Sequence, residues 1–466
     1  MSEKLEEHLL KVEGSGVQYA ELRYHKTFSS QITTLNGILI SNEQDSSSGY
    51  SLRTYRGGQM EFYSRDSSPP ELESTPVGRS WEEGIDLEGG EGKISFSSSE
   101  KIRPSDVSLE EKLSLLREIK EEAFALRLST KLERLVLSYW EGVEEKESLN
   151  SLGLRMTSRI SRIGIWYSFT LKDGDKYVTA SLEEFGGSGG FELLKGWNVK
   201  ERILDRISSL DSVVTKGKAP SPGRKDVIVS GMIAGIIAHE SGGHPFEADR
   251  VLGREAAQAG KSYLSQEWIS KKMGSDTVTL VDDPTLEGSM GFFQVDDEGV
   301  KARRKFLIRE GKVEEMLHSR LTAPRWGVRS NGSTRAMDYE SEPLIRMSNT
   351  FFLPGKAKFQ DLLDGIRNGV FLKSYMEWNI DDLRWGQRYV GLEAYEVKDG
   401  EIGEPVKFPV LESTTGEIYS SIDMVDDSLT FYPGTCGKGE PSQGVPVWFG
   451  GPNMRIRNVT IKVMAQ

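Results

Sequence analysis

The spacing of apolar and polar residues changes several times along the chain, and each change predicts a new element. The opening MSEKLEEHLLKVEGSG reads as a short acidic amphipathic helix. From Tyr19 to Tyr63 the pattern is strand-like, and SLRTYRGGQMEFYS predicts a hairpin turning at Gly57–Gly58. Residues 64–105 are rich in Ser, Pro, Gly and Glu, which predicts a long surface excursion. Ser108 and Glu111 then have capping-box spacing. Leu109, Leu113, Leu116, Ile119 and Ala123 follow at helical intervals and give one apolar face. Alternating strands resume near Arg155 with a turn at Asp173–Gly174, and a second amphipathic helix covers roughly 198–210.

A boundary is predicted in VTKGKAPSPGRKD (214–226), a polar stretch with two prolines and two glycines. Beyond it, VIVS (227–230) reads as a short buried strand leading into a small-residue apolar helix, GMIAGIIAHE. Glycine turns at Glu310–Gly311 and Asp399–Gly400 punctuate further strands, and RIRNVTIKVM closes the chain. The expected fold class is α+β. An N-terminal α+β domain (1–214) precedes a β-rich C-terminal domain (215–466) with one chemically loaded helix, and no internal repeat is visible.

Composition narrows the function. A length of 466 residues, 37% hydrophobic and 28% charged, is ordinary for a soluble globular protein. No apolar run reaches the ~18 residues of a membrane span. The N-terminus lacks the basic start and apolar core of a signal peptide, so the cytoplasm is expected. A net charge of −12 argues against a broad nucleic-acid surface, and the basic KARRK (301–305) reads as a solvated face. The single cysteine, Cys436, excludes an internal disulfide framework.

The helix carries the most specific signal, IIAHESGGHPFEADR (236–250). A catalytic zinc takes three protein ligands and keeps a fourth position for water, and a nearby carboxylate serves as base. Here His239 and His244 are five apart, with Glu240 between them. Five residues of a regular α-helix advance about 500°, leaving side chains about 140° apart, too far round to meet one ion. A single wide turn of the π type would bring both imidazoles to one face. Ser241-Gly242-Gly243 suits such a turn because glycine tolerates unusual backbone angles, and Pro245 removes an amide donor. The competing reading is a buried helix in which two histidines merely cap and pack.

His8, His25 and His318 lie in contexts typical of surface or packed histidines. A lone cysteine is most often a small buried apolar residue. Cys436, however, sits in FYPGTCGKGEPSQGVPV between Gly434 and Gly437, small neighbours that suit an approachable thiolate ligand. Two histidines and a thiolate are a recognised catalytic zinc set.

HESGGHPFEADR, VDDEGV (295–300), RMSNTFFLPG (346–355) and GTCGKGEPSQGVPV (434–447) occur in this order at wide spacing. Together they resemble the TldD/PmbA metallopeptidase family, also named modulators of DNA gyrase, and within it the zinc-binding subunit. The resemblance covers the C-terminal half densely and the N-terminal half loosely, through segments such as GYSLRTY (49–55). It implies His239, His244 and Cys436 as Zn²⁺ ligands and Glu240 as catalytic base. It also implies a dimer, with itself or with a PmbA/TldE-like paralogue that lacks the metal motif, acting on unfolded or extended peptides by strand addition. Two stretches depart from the family pattern: the run between Lys438 and Gln443, and WNIDDLRWGQRYVGLEAY (378–395). Both are placed to line the cleft, so substrate preference does not carry over.

Other signals carry less. GGSGG (186–190) lacks a following Lys-Ser/Thr and reads as a flexible turn, and AGKS (259–262) has Glu255 where a phosphate loop needs glycine. Asp282-Asp283 and Asp296-Asp297-Glu298 have the chemistry for a hard cation, but they read first as solvated acids flanking strands with a structural or cleft-shaping role. Asn349, Arg254 and Tyr432 are candidates for stabilising an oxyanion. The leading expectation is a zinc peptidase. The alternative is a non-enzymatic subunit that modulates another protein, such as gyrase, around a structural zinc.

Overall fold

Long hairpins build the first half of the chain. The computed structural model describes residues 2–72, 79–80, 84–253, 261–439 and 442–464. Helix α1 (Ser2–Glu13) precedes strands β1 (Tyr19–Leu35) and β2 (Ile38–Arg56). The two-residue turn Asn36-Gly37, both at positive φ, joins them and matches the right-handed twist of the strands. Gly57-Gly58 turns the chain into β3 (Gln59–Arg65), as the pattern predicts. The expected excursion is in part sheet. After the short β4 (Arg79–Ser80), β5 (Gly92–Ser97) runs parallel to a later strand and packs Phe96 edge-on against Phe292.

Helix α2 (Leu109–Ala125) starts with the predicted capping box: the Glu111 N–H donates to Ser108 Oγ at 3.2 Å, and Glu111 Oε2 accepts from the Ser108 N–H at 2.9 Å. Leu116, Ile119 and Ala123 are buried, while Leu109, at the first helical position, stays exposed. The pattern misses β6 (Lys131–Asn150), because its run WEGVEEKES reads as solvated charge. That strand pairs along its length with β1 and with β7 (Leu154–Asp173), which turns at Gly174 into β8 (Lys176–Ser188). After a single turn, α3 (Leu193–Gly196), helix α4 (Val199–Lys216) lays Ile203, Ile207 and Leu210 beside α2 on Tyr139, Ile165 and Tyr167. Among the described residues the sheet has eight strands in the order β4-β3-β2-β1-β6-β7-β5, with β8 also on β7. The first three residues of GGSGG are the end of β8 rather than a free turn: a Cβ at Gly186 would lie 2.8 Å from Pro433.

The second half is β-rich, and with the first half gives the predicted α+β class. Strand β9 (Gly223–Val229) lies inside a nine-stranded sheet, parallel to Asn368–Leu372 and antiparallel to Met454–Val463. It feeds helix α5 (Gly231–Ile237), whose first turn is capped by Ser230 Oγ accepting from the Met232 N–H at 3.2 Å. A six-stranded sheet crosses beneath and contains Leu280–Asp282, Asn349–Phe352, Gln443–Gly451 and Thr430–Lys438. Helix and sheet meet backbone to backbone. A Cβ at Gly231 would fall 2.3 Å from the Gly451 carbonyl oxygen, and one at Gly235 2.6 Å from the Gly450 nitrogen.

Two expectations about surface charge fail. Lys305, the last residue of KARRK, is fully enclosed and pairs with Asp282 at 3.1 Å. The acids at 282–283 and 296–298 are buried too. Asp282 accepts from the Ser348 N–H and hydroxyl at 2.7 and 2.8 Å, while Lys146 holds Asp297 at 2.9 Å. Burial, with Glu298 adding to it, pushes the Asp296 carboxyl up to about 7 despite the Thr334 and Val300 N–H groups donating to it. A structural role holds for these acids; solvation does not, because partners from distant strands supply what water would.

Removing one member of a fully enclosed pair strands the other. Asp282→Ala is expected to lower stability by about 3–5 kcal/mol in urea unfolding, and a loss under about 1 kcal/mol would show that Lys305 finds another partner.

Candidate metal centre

Helix α5 does not continue as an α-helix. Over Ala238–Gly243 the backbone widens into a π turn, with the His244 N–H donating to the His239 carbonyl five residues back. Ser241 Oγ donates to the Ile237 carbonyl at 2.7 Å, and Tyr263 Oη donates to the Ser241 carbonyl at 2.8 Å, so the loosened turn is satisfied from both sides. The predicted distortion is present. Its reason differs, because Gly243 sits at φ −94°, open to any residue. The glycines are needed for space: a Cβ at Gly242 would lie 2.2 Å from Leu280 Cδ2, and one at Gly243 1.8 Å from Met347 Sδ.

The wide turn brings the rings of His239 and His244 together, with centroids 5.0 Å apart and planes at 81°. Cys436 arrives on Thr430–Lys438, paired with Val445 across the hairpin, and its Sγ lies 3.6 Å from His244 Nε2. One donor atom from each of His239, His244 and Cys436 lies within 4.8 Å of the others, and all three residues are buried. Burial pulls both imidazoles below the ordinary histidine range. Burial also pushes the Cys436 thiol up, but the His244 imidazole and the Arg346 guanidinium outweigh it and bring it down to about 7. His239 Nδ1 is buried without a hydrogen-bond partner. Two buried imidazoles, a low-lying thiol and an unsatisfied ring nitrogen are a donor set that fits a zinc-type ion.

A supporting layer orients these donors, and the motif reading missed it. Glu247 Oε2 lies 3.1 Å from His244 Nδ1, which turns Nε2 toward the thiol. Glu247 also pairs with Arg250 at 3.1 Å and with Lys438 at 3.4 Å. Burial opposes its charge, yet Lys438, His244 and Arg250 hold its carboxyl well below the usual range. Lys438 Nζ donates to both Asp249 oxygens at 2.8 and 2.9 Å and to the Ile345 carbonyl at 2.8 Å. Arg346 donates to the Cys436 and Gln443 carbonyls and so fixes the thiol-bearing hairpin. The charged side chains of this layer all lie inside the quoted motifs; their roles appear only when 192 residues of chain separation close.

Glu240 shares the widened turn with His239 and is ion-paired to Arg384, from the 378–395 segment expected to line the cleft. The remaining histidines stand apart. His8 Nε2 is 2.7 Å from the Pro70 carbonyl, His25 is 3.1 Å from Glu144, and His318 packs edge-on to Trp326. Asn349 is not free to hold an oxyanion, because its amide donates to the Asp283 carbonyl at 2.7 Å and to Ser289 Oγ at 2.8 Å. Tyr432 stacks on Phe449, whose ring is 6.5 Å from His239. Arg254, Glu255 and the start of AGKS lie outside the described residues. A cavity of about 490 Å³ opens on the far side of the hairpin, lined by Thr435, Pro446, Phe292 and Phe293. Side chains alternate along a strand, so Cys436 points away from it.

Models of the PmbA/TldA metallopeptidase family match the chain three times: domain 1 at residues 20–75, the central domain at 102–210 and the C-terminal domain at 222–463. A metalloprotease of Methanothermobacter thermautotrophicus is 30% identical over 96% of this chain and 95% of its own length. A zinc metalloprotease TldD homolog of Saccharolobus solfataricus is 25% identical over 97% of this chain and 98% of its own. In fold, the chain is similar to a candidate modulator of a DNA gyrase from Thermotoga maritima (TM-score 0.78, 18% identity, 99% and 100% of the two chains). It is likewise similar to TldE from Thermococcus kodakarensis (TM-score 0.73, 17% identity, 98% and 99% covered).

Gly243→Ala forces a methyl group into buried Met347 and is expected to cost about 1–3 kcal/mol and to reduce zinc content, read by thermal melting and atomic absorption. Wild-type melting and metal content would refute the packing argument. Lys438→Met leaves Asp249 and Glu247 enclosed without their ammonium; about 10–100-fold weaker zinc binding is expected in chelator competition. Unchanged affinity would show that Lys438 does not support the site.

Proposed function

The chain belongs to the PmbA/TldD metallopeptidase family, and on that premise we propose that it is a zinc-dependent peptidase acting on unfolded or extended peptides. The observation that carries this reading is the convergence of His239, His244 and Cys436 to within 4.8 Å, with Glu240 on the same widened turn. These three residues would hold the ion. The chain has no second cysteine, so a closed four-ligand structural site is disfavoured and an open fourth position suits catalysis. Bound zinc supplies a Lewis acid for the scissile carbonyl and makes water more acidic. Glu240 is the general base: its carboxylate takes a proton from the attacking water and returns it to the departing amine nitrogen. Glu247 keeps the His244 ring turned so that Nε2 is the donor. Tyr432 is the remaining described candidate to donate to a developing oxyanion.

The division at 214/215 belongs to the same proposal, with the N-terminal part shaping access and the C-terminal part holding the chemistry. So does placement in the cytoplasm, as one subunit of a pair with itself or with a TldE-like paralogue. No helix among the described residues is long and apolar enough to cross a membrane.

The test compares wild type, Glu240→Gln and Cys436→Ser on unstructured peptides while zinc is measured. Glu240→Gln should keep its zinc and lose about 10²–10⁴-fold in kcat. Cys436→Ser should lose both zinc and activity. Full activity in Glu240→Gln, or undiminished zinc in Cys436→Ser, would overturn the respective assignment.

A further inference from the structure

The cation facing Glu240 leaves more of its guanidinium unpartnered than its neighbours do. Lys438 is spent on buried carboxylates and a backbone carbonyl, while Arg346 and Arg335 each give both terminal nitrogens to carbonyls and leave only a buried Nε without a partner among the described residues. The Arg384 side chain makes one hydrogen bond among the described residues, from Nη1 to Glu240 Oε2. Its Nε is buried and has no partner among the described residues. The edge left open is therefore the Nε–Nη2 side, the fork whose two parallel N–H groups match the two oxygens of a carboxylate. An unsatisfied buried donor costs stability, and a ligand that satisfies it recovers that cost on binding.

The backbone holds this fork in place. Arg384 occupies a left-handed conformation, φ 64°, inside a tight turn. The Asp381 carboxylate accepts from the Trp385 and Gly386 N–H groups at 2.8 and 2.7 Å, so it is engaged within the turn. Thr415 Oγ1 donates to the Arg384 carbonyl at 2.8 Å, and the Tyr263 N–H donates to the Leu383 carbonyl at 3.0 Å. Trp385 packs edge-on against Tyr263, the residue that also bonds the widened turn. Asp381, Asp382 and Leu383 are exposed, whereas the Arg384 side chain is 12% exposed.

We propose that Arg384 is a specificity-determining residue that binds a substrate carboxylate next to the scissile bond through its Nε–Nη2 edge, while Nη1 keeps hold of Glu240. The favoured substrates are peptides with a carboxylate at that position, supplied by a free C-terminus or by an Asp or Glu side chain. This inference rests on the reading of Glu240 as the base of a peptidase site.

The experiment pairs peptides that differ only in charge, C-terminal acid against amide and internal Glu against Gln. Hydrolysis is measured for zinc-loaded wild type, Arg384→Gln and Arg384→Lys. At least one acid form should show a KM about tenfold or more below its neutral twin. Arg384→Gln should erase the difference through KM, and Arg384→Lys, with charge but no fork, should restore only part of it. Which pair discriminates identifies the source of the carboxylate. Calorimetric binding of the same peptides to Glu240→Gln and to Glu240→Gln/Arg384→Gln, both checked for native melting, needs no turnover. It therefore separates failure of this inference from failure of the peptidase reading. Equal affinity for acid and neutral peptides in Glu240→Gln, or a preference surviving in the double variant, would overturn the assignment of Arg384.

Discussion

Lys438 is the joint on which the candidate metal centre depends. Its ammonium is enclosed between Asp249 and Glu247 and also donates to the Ile345 carbonyl. A buried charge costs several kcal/mol unless its partners are well placed, so the network tolerates one register of the Thr430–Lys438 strand. Cys436 lies two residues earlier on that strand and therefore on the same face. Glu247, the carboxylate shared by Lys438 and Arg250, also lies against His244 Nδ1. One ionic cluster thus sets both the thiol and the ring that meets it.

Close backbone contact is the second condition. Helix α5 approaches the Gln443–Gly451 strand through Gly231 and Gly235 on one side and Gly450 and Gly451 on the other. The small-residue helix is what allows the two elements to sit near enough for side chains of one to face side chains of the other. The widened turn then rotates His239 and His244 onto one face. Its glycines yield room to Leu280, Tyr419 and Met347 rather than adopting an unusual φ.

The N-terminal sheet is tied to the second half by charge. Arg53 of β2 bridges Glu21 at 2.8 Å and Glu298 at 2.5 Å, and Lys146 of β6 pairs with Asp297 at 2.9 Å. These contacts explain why β6 escaped the pattern. A strand whose polar residues face buried ionic partners shows no apolar alternation over that stretch. Lys305 and the 296–298 acids were misjudged for the same reason, since isolated charge in a sequence does not reveal the opposite charge that will enclose it.

The sequence by itself determined the hairpin at Gly57–Gly58, the capped α2, the α+β class and the irregular turn between His239 and His244. Each of these follows from local chemistry: turn residues, caps and the mismatch between a five-residue spacing and a regular helix. Tertiary structure alone decided that Cys436 lies beside His244, that Asn349 is consumed by its neighbours, and that Arg384 meets Glu240. Those outcomes depend on which buried donors and acceptors find one another across long chain separations. A single sequence read residue by residue carries the partners but not the pairing.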